Sequence, residues 1–328
     1  VGTFNLFQFV APPYSWYEKK NTFSKIKWVQ KTTWIKEQIT KMNCDIIGFQ
    51  EVFTPDELQE LTKELGFEYF VTVEKARVDN DDSSIFISTT VAIASKYPIL
   101  EIQKVKIDTS SVLKHNFEDK FQFSRIPIKA LIQLPNKQKI TVYVNHFKSN
   151  RENELEYIFT KNHTLQEKIE KTKKPLEKNI SKSLKQRLCE TSSLFYDFQN
   201  TPTPIISVCD LNDKEFSLTI EALTNEAYHD NTKKDSYLLY DSYDLDDKKV
   251  YNPHPEQKEI KRTPTSYFQG VGNVLDYIFL SKEFNKKNKN AIGKVNSYEI
   301  YNRHLENNPH GSLLESDHAQ VVCEILFK

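Results

Sequence analysis

Six short apolar runs in this 328-residue chain each end in, or enclose, a carboxylate, an amide or an imidazole. They are Thr3-Phe4-Asn5-Leu6, Ile46-Ile47-Gly48-Phe49-Gln50-Glu51-Val52, Val142-Tyr143-Val144-Asn145-His146-Phe147-Lys148-Ser149, Ile205-Ile206-Ser207-Val208-Cys209-Asp210-Leu211-Asn212-Asp213, Leu275-Asp276-Tyr277-Ile278-Phe279-Leu280 and Glu315-Ser316-Asp317-His318-Ala319-Gln320-Val321-Val322. Near-continuous apolar runs of this length read as strands covered on both faces. A chain carrying several of them must supply layers on either side, and it must collect their polar tips somewhere.

The segments between these runs supply the layers. Phe23–Met42 places Ile26, Val29, Trp34, Ile35 and Ile39 at helical spacing, with Thr22 or Ser24 as N-cap. Thr54-Pro55-Asp56-Glu57 predicts a second helix, with Thr54 as N-cap, Pro55 at the first position, Glu57 completing a capping box and Gly66 ending it. After a strand at Phe67–Val73, strands follow strands: Thr90–Ser95, Ile99–Val105, then Phe121–Leu134 paired with Lys139–Asn145 through Pro135-Asn136-Lys137. Residues 151–185 are rich in Lys and Glu and read as a charged, helical surface insertion broken at Lys173-Lys174-Pro175. Leu184–Phe198 resumes a helical period, Leu218–Ala222 follows as a helix, and Ser266–Phe268, Val274–Leu280, Val295–Ile300 and Gln320–Phe327 read as strands. The length exceeds the roughly 250–300 residues that one core usually serves. Two domains, or one domain with two packed sheets, would satisfy it. The pattern predicts an α/β fold: a four-layer αββα sandwich of two mixed sheets flanked by helices.

Lys+Arg and Asp+Glu both number 45, so net charge neither demands nor excludes a polyanionic partner. The four cysteines have no metal-ligand spacing and read as buried free thiols. No apolar run reaches the ~18 residues of a transmembrane helix. No signal peptide is recognisable, but the chain enters a strand directly after Val1. N-terminal processing, with export slightly favoured over a cytoplasmic location, is the expectation.

The strand tips bring together carboxylates (Glu51, Asp210, Asp276, Asp317), amides (Asn5, Asn145, Asn212) and imidazoles (His146, His318). Hard oxygen ligands suit Mg²⁺, Mn²⁺ or Ca²⁺. Imidazole partnered by carboxylate suits proton transfer, and the two together suit attack of water on a phosphate ester. An acid inside an apolar strand, as at Asp276, is costly unless paired. The histidines His115, His163, His229, His254, His304 and His310 read as surface or loop residues, with His304 the one closest to attracting interest.

In order and type, Asn5, Gln50-Glu51-Val52, Asn145-His146-Phe147-Lys148-Ser149, Asp210-Leu211-Asn212, Leu275-Asp276-Tyr277-Ile278 and Ser316-Asp317-His318 resemble the motifs of the endonuclease/exonuclease/phosphatase superfamily, the DNase I-like proteins. The resemblance spans the chain apart from about 151–185, and its style is similar to bacterial extracellular-nuclease-like members. It implies one catalytic domain over 1–328, a monomer, and a Mg²⁺-dependent phosphodiesterase acting on nucleic acid. It also implies roles. Glu51 is the principal metal ligand, supported by Asn5 and Asp317. Asp210 and Asn212 orient water and phosphate. His318 is base or phosphate ligand, held in its tautomer by Asp276. His146 donates to a phosphate oxygen or acts as acid, and Arg125, in Ser124-Arg125-Ile126-Pro127, clamps the phosphate.

Other branches fit less well. Inositol polyphosphate phosphatases usually have Arg where Tyr277 stands, and abasic-site endonucleases usually have Tyr where His146 stands. Sphingomyelinases share that His but bind membranes through an exposed aromatic hairpin, for which Pro13-Tyr14-Ser15-Trp16-Tyr17 is the candidate stretch. Cys209 replaces the Gly that often precedes the Asp-x-Asn motif, and Ser88-Thr89-Thr90 replaces a Gly-rich strand entry. These departures bear on substrate fit. A catalytically silent binding protein would have lost Glu51, Asp210, Asn212 or His318, and all four are present.

Overall fold

The computed structural model describes residues 1–115, 117, 120–150, 154–229, 236–247, 262–308 and 311–328. The first half of the chain forms strands β1 (Gly2–Phe9), β2 (Ser15–Trp16), β3 (Ile46–Val52), β4 (Tyr69–Val71), β5 (Ile85–Phe86), β6 (Thr90–Ser95), β7 (Ile99–Lys104), β8 (Ile128–Gln133) and β9 (Lys139–His146). The second half adds β10 (Ile205–Asp210), β11 (Leu239–Asp241), β12 (Ser266–Phe268), β13 (Val271–Asn273), β14 (Asp276–Ser281), β15 (Gly293–Tyr301) and β16 (Gln320–Phe327). The helices are α1 (Lys25–Met42), α2 (Pro55–Glu64), α3 (Thr109–Lys114), α4 (Leu165–Glu177), α5 (Lys182–Gln199), α6 (Leu218–Thr224), α7 (Glu226–His229), α8 (Ser242–Leu245) and α9 (Arg303–Asn307).

Two six-stranded mixed sheets result, in the orders β15-β16-β1-β3-β6-β4 and β11-β14-β10-β9-β8-β7. Side-chain alternation on the central strands assigns the layers. Ile206 and Val208 of β10 meet Val142 and Val144 of β9, Val91 and Ile93 of β6 and Val321 of β16 in the core between the sheets. Phe49 on β3 and Phe4 on β1 turn outward onto Ile35, Ile39 and Met42 of α1 and Leu58 and Leu61 of α2. On the far side, Cys209, Tyr143 and Phe279 pack under Leu194 and Phe198 of α5 and Leu223 of α6. This is the predicted four-layer α/β sandwich.

Several local expectations change. Thr54 precedes α2 without bonding its first turn. Its hydroxyl accepts instead from the Ala11 amide at 3.1 Å, tying the loop after β1 to this corner. Residues 121–127 are not part of β8, because their amides leave the ladder. The Ser124 amide donates to Glu190 (2.7 Å) and the Ile126 amide to Glu74 (2.5 Å). The strand expected at 67–73 contracts to Tyr69–Val71, and a short α3 appears that has no sequence expectation.

In the charged segment, Pro175 does not break the helix. It lies near the end of α4, where one lost amide bond costs least, and the chain leaves the helix at Lys178. That helix is not purely a solvated face. Lys168 is buried and donates to Glu221 of α6 at 2.5 Å, and Thr172 is buried beside it. Residues 151–153 of that segment, His254 and His310 lie outside the described residues. All four cysteines are free and buried, as expected. No described helix is long and apolar enough to cross a membrane.

Candidate active site

Strand register places the polar tips. Asp210, the last residue of β10, is the register partner of His146 on parallel β9 and of Asp276 on antiparallel β14, so the three form one row across a sheet. Asn5 on β1 faces that row from the other sheet. Its Nδ2 donates to Asp210 Oδ2 at 2.9 Å and lies 3.5 Å from Glu51 Oε1. The loop before β16 arrives between them. Ser316 Oγ donates to the Asn5 carbonyl (2.8 Å) and accepts from the His318 amide (3.0 Å).

His318 Nδ1 is 2.8 Å from Asp276 Oδ2, and its Nε2 is 4.0 Å from Asp210 Oδ2. His146 Nε2 stands 3.4 Å from the same Asp210 oxygen. The sequence-predicted residues Asn5, Glu51, His146, Asp210, Asp276 and His318 therefore converge. Asn212 and Arg125 join through one acceptor: Asn212 Nδ2 (3.1 Å) and Arg125 Nη1 (3.2 Å) both donate to the Phe147 carbonyl, next to His146. Arg125 Nε is further fixed by Thr89 Oγ1 at 3.1 Å. His304 proves to be a supporting residue, its Nε2 lying 3.0 Å from the His318 carbonyl and its ring edge-on to Trp34.

Backbone strain gathers here. Phe7, Gln8, Glu51 and Asn212 all have positive φ without being glycine, and the β1–β3 register shifts between Asn5 and Phe9. Such conformations cost of order 1–3 kcal/mol each and cluster at functional sites. The strained bulge turns its amides toward the site: Phe7 N–H donates to Asn5 Oδ1 (3.0 Å) and Gln8 N–H to Glu51 Oε2 (3.1 Å). Gly311, at φ 68, permits the loop to pass over Asp317, whose Cα a methyl there would meet at 2.4 Å.

The electrostatics are those of a buried cluster of carboxylates facing a few cations. Burial, with added repulsion from Asp317, raises Glu51 above the ordinary carboxylate range. Burial likewise raises Asp317 and pushes Asp210 up to about 6. The imidazoles diverge. Burial, then Arg125, His318 and Lys148, hold His146 well below its usual value. Burial would lower His318 too, but the Asp276, Asp210 and Asp317 carboxylates outweigh it and raise it well above. Among the described residues, Asp317 Oδ1 and Gln8 Oε1 are buried oxygens with no hydrogen-bond partner. Orphaned oxygens beside mutually repelling carboxylates fit a hard divalent cation. Asp210, Asp276 and His318 also bring three ligand-type atoms within 4.8 Å of one another. The 2.8 Å bond engages His318 Nδ1 and Asp276 Oδ2, while Asp276 Oδ1 is, like Asp317 Oδ1, buried without a hydrogen-bond partner.

Four contributors escaped the sequence reading. Lys31 is buried beneath the site, and its signal was available: a charge on the same α1 stripe as Ile35 and Ile39. Tyr17 lies close enough for Glu51 and Arg125 to act on its hydroxyl, which burial raises first. Arg187 and Glu190 hold the loops from α5, and nothing local in sequence distinguishes them from other charges in that helix.

Comparison with known proteins agrees with this architecture. No protein-family model and no curated protein sequence matches the chain. Solved structures do. The catalytic domain of human Nocturnin with bound sulfate is 16% identical, covering 93% of this chain and 88% of its own, at TM-score 0.57. An endonuclease/exonuclease/phosphatase family protein from Leptotrichia buccalis is 16% identical over 99% of this chain and 98% of its own, at TM-score 0.53. TDP2 of D. rerio, in complex with single-strand DNA product, is 12% identical over 99% and 97%, at TM-score 0.51. The chain has the DNase I-like fold of the endonuclease/exonuclease/phosphatase superfamily.

Proposed function

We propose that this chain is a divalent-cation-dependent phosphodiesterase acting on DNA or RNA. The observation that carries the reading is the row His146–Asp210–Asp276 completed by His318, facing Glu51 and Asp317 across the sandwich. Glu51, Asp317 and Asn5 would hold a Mg²⁺ ion, or Mn²⁺ or Ca²⁺ in its place. Once bound, the cation neutralises charge on the phosphate oxygens. Asp276 fixes the proton of His318 on Nδ1, leaving Nε2–H to face the phosphate as a cationic donor. Asp210, raised to about 6, and Asn212 orient the attacking water, and Asp210 is poised near neutrality to take its proton. His146, kept neutral, supports Asp210 and the leaving oxygen. Arg125 clamps the phosphate from the Phe147 side. Support for a nucleic-acid substrate comes from the DNA-bound TDP2 neighbour, and from the half-exposed Tyr17 ring beside Arg125.

A second reading, a phospholipid ester, has one specific observation in its favour. The β12–β13 hairpin exposes Phe268 (56%) and Val271 (60%) at its tip, and its Ser266 bridges to His318. The candidate stretch at 13–17 is instead anchored, Ser15 and Trp16 pairing with Ile85 and Phe86.

A panel of plasmid, oligo-RNA, sphingomyelin, inositol phosphates and a generic phosphodiester, each with Mg²⁺, Mn²⁺ or Ca²⁺, tests the assignment. The expected result is plasmid nicking abolished by EDTA and weakened by salt, with His318→Ala about 10²–10⁴-fold slower. Cleavage of sphingomyelin with nucleic acid left intact would replace the first reading by the second. Undiminished phosphodiesterase activity in Glu51→Ala would sink both.

A further inference from the structure

Lys31 is an anomaly on its helix. It projects from the buried face of α1, is 0% exposed, and its Nζ makes no salt bridge to a carboxylate among the described residues. Its Nζ lies instead within hydrogen-bond distance of four backbone carbonyls: Leu6 (2.9 Å), Phe7 (2.8 Å), Leu313 (2.9 Å) and Glu315 (3.0 Å). The Phe23 ring closes the cage, 5.6 Å from Nζ. An ammonium has three N–H donors, so four carbonyls share them. A buried charge without a counter-ion in contact is expensive, and an apolar side chain would fill the same space more cheaply.

The identity of the carbonyls explains the charge. Two belong to the strained bulge of β1, whose amides on the opposite side bind Asn5 and Glu51. The other two lie just before Asp317 and His318 in the loop that leads into β16. The helix cation therefore joins the β1 bulge, which carries Asn5 and holds Glu51 of β3 through the Gln8 amide, to the segment that leads into Asp317 and His318. The charges facing Nζ are those of Glu51 and Asp317, which act on it from the site while burial draws its pKa down to about 7.

We infer that Lys31 is a positioning residue for the cation site: its ammonium clamps the β1 bulge to the 313–318 turn, setting the separation of Glu51 and Asp317. It offsets part of their mutual repulsion before a divalent ion arrives. The inference rests on the reading of Glu51 and Asp317 as cation ligands.

Binding of Mn²⁺ alone, followed by electron paramagnetic resonance on purified wild type, Lys31→Met and Lys31→Arg, tests it without substrate. The expected result is folded Lys31→Met with Mn²⁺ affinity reduced about 10–100-fold, the range seen when residues behind metal ligands are removed. Lys31→Arg, which keeps the charge, should recover most of it. A folded Lys31→Met that binds Mn²⁺ as tightly as wild type overturns the inference and leaves the proposed function standing. Wild type that binds no divalent cation overturns both. Should Lys31→Met not fold, amide hydrogen exchange on wild type decides. Mn²⁺ should slow exchange in residues 6–8 and 313–318 together, and slowing in one segment alone would refute the clamp.

Discussion

The Asp276–His318 pair shows how a single carboxylate can fix the chemistry of a neighbour. The Oδ2 of Asp276 receives the Nδ1 proton at 2.8 Å, so the tautomer and the ring direction are set together. Asp276→Asn preserves the shape but can present its amide to Nδ1, which reverses the tautomer. We expect turnover to fall about 10²–10⁴-fold with the melting temperature little changed, a comparable buried Asp–His pair being the precedent for that size. Because Asp276 raises His318, the alkaline limb of the residual pH–rate profile should move to lower pH. Profiles of kcat/KM for the two proteins check both points. Asp276 was legible as an oddity in an apolar run, and the resemblance supplied His318 as its partner. Lys31 was equally odd on its stripe, but its meaning depended on carbonyls up to 284 residues away in sequence.

Helix α5 does for the opposite sheet what Lys31 does for the first. Glu190 accepts from the amides of Ser124 (2.7 Å) and Lys148 (3.0 Å), while Arg187, one turn earlier, donates to the Lys148 carbonyl (3.0 Å) and to Asp213 (3.2 Å). One helix face thus registers the loops that carry Arg125, His146 and Asn212. Glu190→Ala would remove the acceptor of two half-buried amides, at a total of about 1–3 kcal/mol. The expected outcome is lower stability together with a KM raised more than kcat is reduced, since Arg125 and the 146–148 loop lose their common anchor. Urea denaturation alongside steady-state kinetics measures both. Neither charge could be singled out within the helical period of Leu184–Phe198, because local pattern does not report which strand tips a helix will cover. The displaced capping role of Thr54 and the non-strand 121–127 have the same origin: their hydrogen-bond partners are distant.

The sandwich must bring its two sheets close enough for Asn5 to reach Asp210, and at Gly48 the facing sheet leaves no room for a side chain. A methyl at Gly48 would meet Val208 Cγ2 at 2.3 Å and Val144 Cγ1 at 2.9 Å. Gly48→Ala should cost about 1–3 kcal/mol by overpacking. It should also lower activity, because the sheets separate just below the site. The pocket's charge has its own effect on the molecule's stability. Glu51 has a folded pKa raised above its unfolded value, so its contribution is present at low pH and lost as pH rises. Glu51→Gln, which mimics the neutral acid, should therefore melt a few degrees above wild type at neutral pH in EDTA, with the gap closing as pH falls. Added Mg²⁺ should raise wild type and leave the variant unmoved, since a ligand stabilises only the state that binds it. Thermal scans with and without the cation show whether that order holds.

The apolar runs, their polar tips and the helical stripes between them were enough to specify two covered sheets and to nominate most of the candidate site, with Arg125 added by the resemblance, because burial periodicity and residue chemistry are local properties. Register, loop anchoring and electrostatics were not local. Which oxygen faces which nitrogen, why His146 and His318 titrate in opposite directions, and how a lysine comes to sit beneath Glu51 and Asp317 all follow from segments 42 to 284 residues apart being packed to within 3 Å of one another.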